Sequence, residues 1–143
     1  MVPANSFLDD SLAQIKPFYY IIEGDKVIQK ALGDFTYYLL CLFNSFILDY
    51  YLRLRISANL NFFFIQEIPI PEVDAGTFEK LVQLTKGISN EYDKSIRARI
   101  EAVVAKDVFK LEKEELEHIL GTFIYGHVDS ELLELIKTEY DLA

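Results

Sequence analysis

The chain has 143 residues, 51% of them hydrophobic and 14% aromatic, which suffices for one packed core and excludes a disordered segment. Its net charge of −9 opposes a nucleic-acid partner at face value, but the acids are unevenly placed. Residues 1–110 hold 14 acids and 12 bases, whereas residues 111–143 hold 9 acids and 2 bases, so the acidity belongs mostly to the tail.

The opening, Met1 to Phe7, has neither the basic stretch nor the apolar run of a secretory signal. A polar turn over Asn5 to Ser11 precedes the aromatic and β-branched run Phe18-Tyr19-Tyr20-Ile21-Ile22. Glu23-Gly24-Asp25-Lys26 carries turn chemistry and Val27-Ile28 resumes an extended pattern, so a hairpin is expected over about Pro17 to Gln29. Gly33-Asp34 then interrupts the chain, with Asp34 placed to cap a following helix.

That helix is predicted from Phe35 to Ile56, and it has so few polar residues that most of its circumference must face protein. The single cysteine, Cys41, lies inside it, can form no intrachain disulfide, and fits a reducing, cytoplasmic setting. The uncharged run Phe35 to Leu48 is interrupted by Asn44-Ser45 and closed by Asp49, Arg53 and Arg55, which reads as a core helix and not a membrane span. Ser57 to Asn61 is an Asn-bracketed turn that ends the helix. Phe62-Phe63-Phe64 follows, then Ile68-Pro69-Ile70-Pro71, where two missing N–H groups restrict the segment to an edge strand or extended chain. The expected fold is α+β: a small, partly antiparallel sheet from residues 1–33 and 66–71, packed on a buried helix and followed by long C-terminal helices.

Beyond the Glu72–Gly76 loop, Asp74 or Thr77 caps the next helix. Apolar residues recur in steps of three or four through Phe78, Leu81, Leu84, Ile88, Tyr92, Ile96, Ile100 and Val103. This predicts one long amphipathic helix to about Val108, with Gly87 as a place for a kink and a near-heptad seam suited to a helical arm or helix pair. The Glu112–Glu117 run reads as a solvated helix face, and a last helix opens at Asp129 or Ser130. The chain is read as one domain-sized piece over 1–143, with a mixed subregion at 1–76 and a helical one at 77–143.

The series Tyr38-Leu39-Leu40-Cys41-Leu42-Phe43-Asn44-Ser45, Asn59-Leu60-Asn61-Phe62-Phe63-Phe64 and Ile68-Pro69-Ile70-Pro71, followed by a long helix, resembles a known order of parts. It is similar to the C-terminal end of the target-recognition (specificity) domain of type IIG, TaqI-like adenine-N6 DNA methyltransferase restriction–modification enzymes. A more distant likeness is to type I restriction specificity subunits. The resemblance covers roughly residues 35–123 and runs on through Ile100 to Ala105 and Glu114-Glu115-Leu116-Glu117-His118-Ile119-Leu120-Gly121-Thr122-Phe123. Three departures stand out. Asp107 is an extra residue, Lys110 replaces a helix-ending glycine, and Glu112 replaces a Ser/Thr cap. Because a lysine avoids positive φ, either a different turn or two helices that run together are expected there.

The resemblance implies a DNA-reading piece, with catalytic domains N-terminal to Met1 in the parent enzyme. The parent would use S-adenosylmethionine and, where it also cleaves, Mg2+; this fragment would hold no cofactor. The residues themselves are consistent with a non-catalytic piece. There is no Pro-Pro for a base-holding loop, no Gly-x-Gly, and no lysine with an acid two positions before it. His118 and His127 have no ligand spacing and read as surface or helix-end histidines, with no metal site implied. Core packing outweighs base stacking as the role of Phe62-Phe63-Phe64, since adjacent aromatics cannot share one face.

The candidate DNA-binding residues are Arg53, Arg55, Asn59 and Asn61, from a stretch with two arginines, two asparagines and no acid. Asn can pair two-fold with an adenine edge, and Arg can take phosphate or guanine. At i and i+2 on a helix the two arginines diverge, and the simpler reading of each is a snorkelling or ion-paired side chain. Two functions are therefore weighed: a double-stranded-DNA recognition piece without activity of its own, and a helical protein–protein interaction module that uses the 77–108 helix.

Overall fold

The computed structural model describes residues 17–55, 65, 67–123 and 129–143. Helix takes 67% and strand 11% of these residues, so the α+β class with long C-terminal helices holds. Strands β1 (Phe18–Glu23) and β2 (Lys26–Ala31) form an antiparallel hairpin in which Phe18 pairs with Ala31 and Glu23 with Lys26. The register leaves a two-residue turn, Gly24-Asp25, whose first position has φ of 60° and so favours glycine. Leu32 N–H closes the base of the hairpin on the Pro17 carbonyl at 3.1 Å.

Among the described residues six helices follow: α1 (Gly33–Phe43), α2 (Phe46–Arg55), α3 (Ala75–Asn90), α4 (Lys94–Val103, continuing into a π-helical turn at Val104–Val108), α5 (Lys113–Gly121) and α6 (Ser130–Leu142). The single helix expected over Phe35–Ile56 is thus two helices, α1 and α2. Asn44 and Ser45 end the first by bonding its carbonyls: Asn44 Nδ2 donates to Leu40 O at 2.8 Å, and Ser45 Oγ donates to Leu42 O at 2.8 Å. Ser45 Oγ also accepts from Leu48 N–H at 3.2 Å, as an N-cap does. Asp34 is not a cap. It sits in the first turn of α1 and pairs with Lys86 of α3 at 2.6 Å.

The long helix expected to Val108 also divides, at residues 91–93 and not at Gly87. Asp93 decides it, since its carboxylate accepts from Ser95 N–H at 2.7 Å and Ile96 N–H at 3.1 Å and starts a new helix. Gly87 stays helical in α3. Asp74 caps α3 by accepting from Thr77 N–H at 3.0 Å, and Asp129 caps α6 by accepting from Glu131 N–H at 3.0 Å.

Apart from Tyr92, which is exposed, the near-heptad seam packs inside the molecule. α4 buries Ala98, Ile100, Glu101, Ala102 and Val103, and its π turn buries Val104, Ala105 and Val108. The small side chains let neighbours approach closely, and α4 packs against both α3 and α6. One cluster of buried residues runs from Tyr38 of α1 to Tyr140 of α6. The expected sheet differs in extent. Among the described residues it is the two-stranded hairpin alone, and residues 68–71 join no strand. Tyr20, Ile22 and Val27 of the hairpin are exposed, and α1 packs against α3 and sends Tyr38 Oη to the Pro71 carbonyl at 2.7 Å.

Lys110 departs from expectation too. It adopts φ of 55°, the left-handed geometry that a glycine would take, and Leu111 N–H returns to the Ala105 carbonyl at 3.0 Å. A turn closed from residue i to i+5 holds one residue more than an α-helical turn, and Asp107 lies within it. Among the described residues no helix is long and apolar enough to cross a membrane.

Candidate nucleic-acid interface

The geometry of α2 fixes the two candidate arginines, and α2 itself is held from α4. Phe46 N–H, at the first turn of α2, donates to both carboxylate oxygens of Glu101 at 3.1 and 3.3 Å. Arg97 pairs with the same carboxylate at 2.5 Å and also donates to the Asn44 carbonyl. Glu101 is only 2% exposed. Burial pushes its carboxyl up to about 7, against the pull of Arg97 and the Phe46 N–H. Next to it, burial pushes the Cys41 thiol up to about 12, so this cysteine is an inert core residue.

Arg53 lies in the last turn of α2 and grips Asp49 with two bonds, Nε to Oδ1 at 2.9 Å and Nη2 to Oδ2 at 2.7 Å. Its guanidinium also lies over the Phe123 ring, 4.5 Å from the centroid. Arg55 lies over the Tyr51 ring at 4.5 Å and is exposed. The two arginines therefore rest on different neighbours, as their spacing requires, and do not converge on one point. Asn59, Asn61, the Phe62–Phe64 run and His127 lie outside the described residues. His118 meets the Tyr50 ring edge-on, with centroids 6.2 Å apart. Beside α2 lies an apolar groove of about 310 Å³ lined by Ile47, Tyr51, Leu54, Pro69 and Phe109. Among the described residues no three His, Cys, Asp or Glu groups gather as a metal set would.

The remaining bases divide sharply. The last helix, α6, folds back along α4, and acids in it and at its start take up cations of α4 and α5. Lys94 pairs with Asp129 at 2.6 Å and with Glu131, Arg99 with Glu139 at 3.3 Å, and Lys113 with Asp141 at 2.6 Å. Lys106 donates to the carbonyls of Tyr140 and Ala143. The two carboxylates beside Lys94 hold its ammonium above the usual lysine range. Among the described residues, Lys26, Lys30, Arg55, Lys80 and Lys110 form no ion pair. Lys26 and Lys30 share one face of the hairpin with Tyr19, because the register alternates sides.

Sequence reasoning missed Glu101 and Arg97. The available signal was an acid set between Ile100 and Ala102, in an apolar stretch, with an arginine one helical turn before it. No family model, curated protein or solved structure matches the chain.

Proposed function

We propose that this chain is the DNA-reading piece of a site-specific adenine-N6 methyltransferase or restriction–modification enzyme, one that positions duplex DNA for catalytic domains carried elsewhere in the parent. The observation that carries this reading is the end of α4. In the family pattern a glycine ends this helix. Here Lys110 keeps left-handed geometry at that place, and the extra residue Asp107 is taken up by the π turn. A sequence departure is thus absorbed without losing the turn. The charge distribution adds support, since Asp129, Glu131, Glu139 and Asp141 of the tail are engaged with α4 and Lys113, and the hairpin and Arg55 keep bases for phosphate. In this reading the fragment holds no catalytic residue. S-adenosylmethionine, with Mg2+ where the parent cleaves, belongs to the catalytic domains, and the setting is cytoplasmic.

The interaction-module reading draws on a different observation, the exposed Tyr20, Ile22 and Val27 of the hairpin. A partner would then meet the hairpin and not the 77–108 segment, whose seam is buried. Duplex affinity and melting temperature of the full-length protein separate the two readings, measured for Arg53→Ala, Arg55→Ala and Asn59→Ala. DNA recognition predicts weaker binding by folded Arg55→Ala and Asn59→Ala, with the salt slope reduced by about one unit where a phosphate is no longer neutralised, and a smaller effect at Arg53, whose guanidinium is already held by Asp49. Unchanged affinity at two salt concentrations removes these residues from the interface.

A further inference from the structure

The two faces of the hairpin differ in kind. Side chains alternate along each strand, and residues paired across the strands share a face. Phe18, Tyr20 and Ile22 of β1 therefore lie with Ala31, Gln29 and Val27 of β2. All six are exposed and none is charged. The opposite face carries Glu23, Lys26 and Lys30 around Ile21 and Ile28, which are half-buried. On the uncharged face Tyr20, Val27 and Ile22 are 61%, 66% and 76% exposed. Phe18 meets Tyr20 edge-on, with ring centroids 5.3 Å apart, so the aromatic half of the face is held in one arrangement. A lone hairpin is marginal in water, and covering an apolar face of this kind stabilises it.

We propose that this face is where two copies of the chain meet, sheet on sheet, in a weak dimer. A two-fold contact sets a surface against itself, so a charge near the axis faces a like charge. The charge-free face meets that condition with no matching of signs. Stacking with the strand directions reversed lays the foot of one hairpin over the tip of the other. Phe18 then covers the second copy's Ile22, Val27 covers its Ala31, and Tyr20 meets Tyr20. The two Gln29 amides also meet, and primary amides can exchange two hydrogen bonds. The helical halves fall at opposite ends of the pair. A six-residue strand spans about 20 Å, well beyond the Debye length of about 8 Å in physiological salt, so the acidic tails repel little. Phe18, Tyr20, Ile22 and Val27 together expose roughly 500 Å² a copy, and two copies roughly 1,000 Å², the lower bound for a specific interface. That area suits association in the micromolar range and not a permanent dimer. Lys26 and Lys30 stay open on the outer face, so the dimer neither needs the proposed DNA reading nor blocks it.

Sedimentation of the full-length protein from about 1 to about 300 μM tests this. The unaltered chain should pass from monomer to dimer across that range. Gln29→Glu, which sets two carboxylates against each other at the axis, should raise the dissociation constant at least about tenfold. Ile22→Lys should do the same from the hairpin tip. Lys30→Gln, on the opposite face, should leave association unchanged. Gln29 and Ile22 are exposed in the single copy, so dilute samples of both variants should melt close to the unaltered chain. A monomer at every concentration overturns the proposal, and so does association that survives both face substitutions. Ile22→Lys melting well below the unaltered chain in dilute solution overturns it too, since the face is then covered from within its own chain. Duplex DNA binding lost in Gln29→Glu, at concentrations where the unaltered chain is monomeric, assigns the face to nucleic acid and overturns it as well.

Discussion

The bases of α4 and those of the hairpin carry the same charge and live in opposite circumstances. Arg97, Lys94 and Arg99 are committed to acids of this chain: Glu101 is buried, Glu139 half-buried, and Asp129 and Glu131 exposed. Lys26 and Lys30 form no ion pair among the described residues; Lys30 lies opposite exposed Tyr19, and Lys26 opposite Glu23. Net charge is therefore a poor guide to what this molecule can bind. Most of the excess acid is in the tail, and the tail is folded onto the cations of its own helical half. A base already matched by an acid belongs to stability, whereas an unmatched one is available to phosphate.

Substitutions on the matched side should separate these roles by size. The largest effect is expected from Arg97→Ala, which leaves a buried carboxylate without its counter-charge and frees the Asn44 carbonyl. Chemical denaturation should show a loss of about 3 kcal/mol above neutral pH, and less on the acid side, where Glu101 is neutral. Next comes Asp93→Ala, which removes the cap that starts α4 and should lower the melting temperature by a few degrees or less. Lys110→Gly acts in the other direction. It removes a side chain from left-handed backbone and should gain under about 1 kcal/mol, after the added freedom of the unfolded chain is discounted. The smallest effect is expected from Lys113→Ala, whose exposed pair with Asp141 should leave the melting temperature almost unchanged.

Stability should also depend on pH through Glu101. Burial raises its folded pKa above the ordinary 4.5 to about 7, so between those values the native chain binds more protons than the unfolded one. The contribution is therefore present at low pH and lost as pH rises through about 7. Urea titrations across that window should show a decline in the unaltered chain and a flatter curve for Glu101→Gln.

Local chemistry was legible in the sequence and tertiary chemistry was not. The hairpin announced itself through Glu23-Gly24-Asp25-Lys26, and Asp74 and Asp129 cap helices near where they were expected, because a cap needs only the next three residues. The two helix breaks were missed because apolar periodicity continues across both. At Asn44-Ser45 the deciding partners, Arg97 and Glu101, lie more than 50 residues further on. Lys110 misled for the reason that glycine is preferred there: the surrounding turn imposes positive φ whichever residue occupies it. At the candidate interface, the Arg53–Asp49 pair follows from its i, i+4 spacing, but the placing of Phe123 beneath Arg53 required the fold.

On the proposed function, duplex DNA meets the unmatched bases and not the matched ones. Salt dependence of duplex binding puts this to the proof, in the full-length protein carrying either Lys26→Ala with Lys30→Ala or Lys94→Ala with Lys113→Ala. The hairpin pair should weaken binding and lower the slope of log affinity against log salt by about two units, while the α4-side pair leaves both unchanged. The opposite pattern, or equal weakening by both pairs, would contradict the proposed division of the bases.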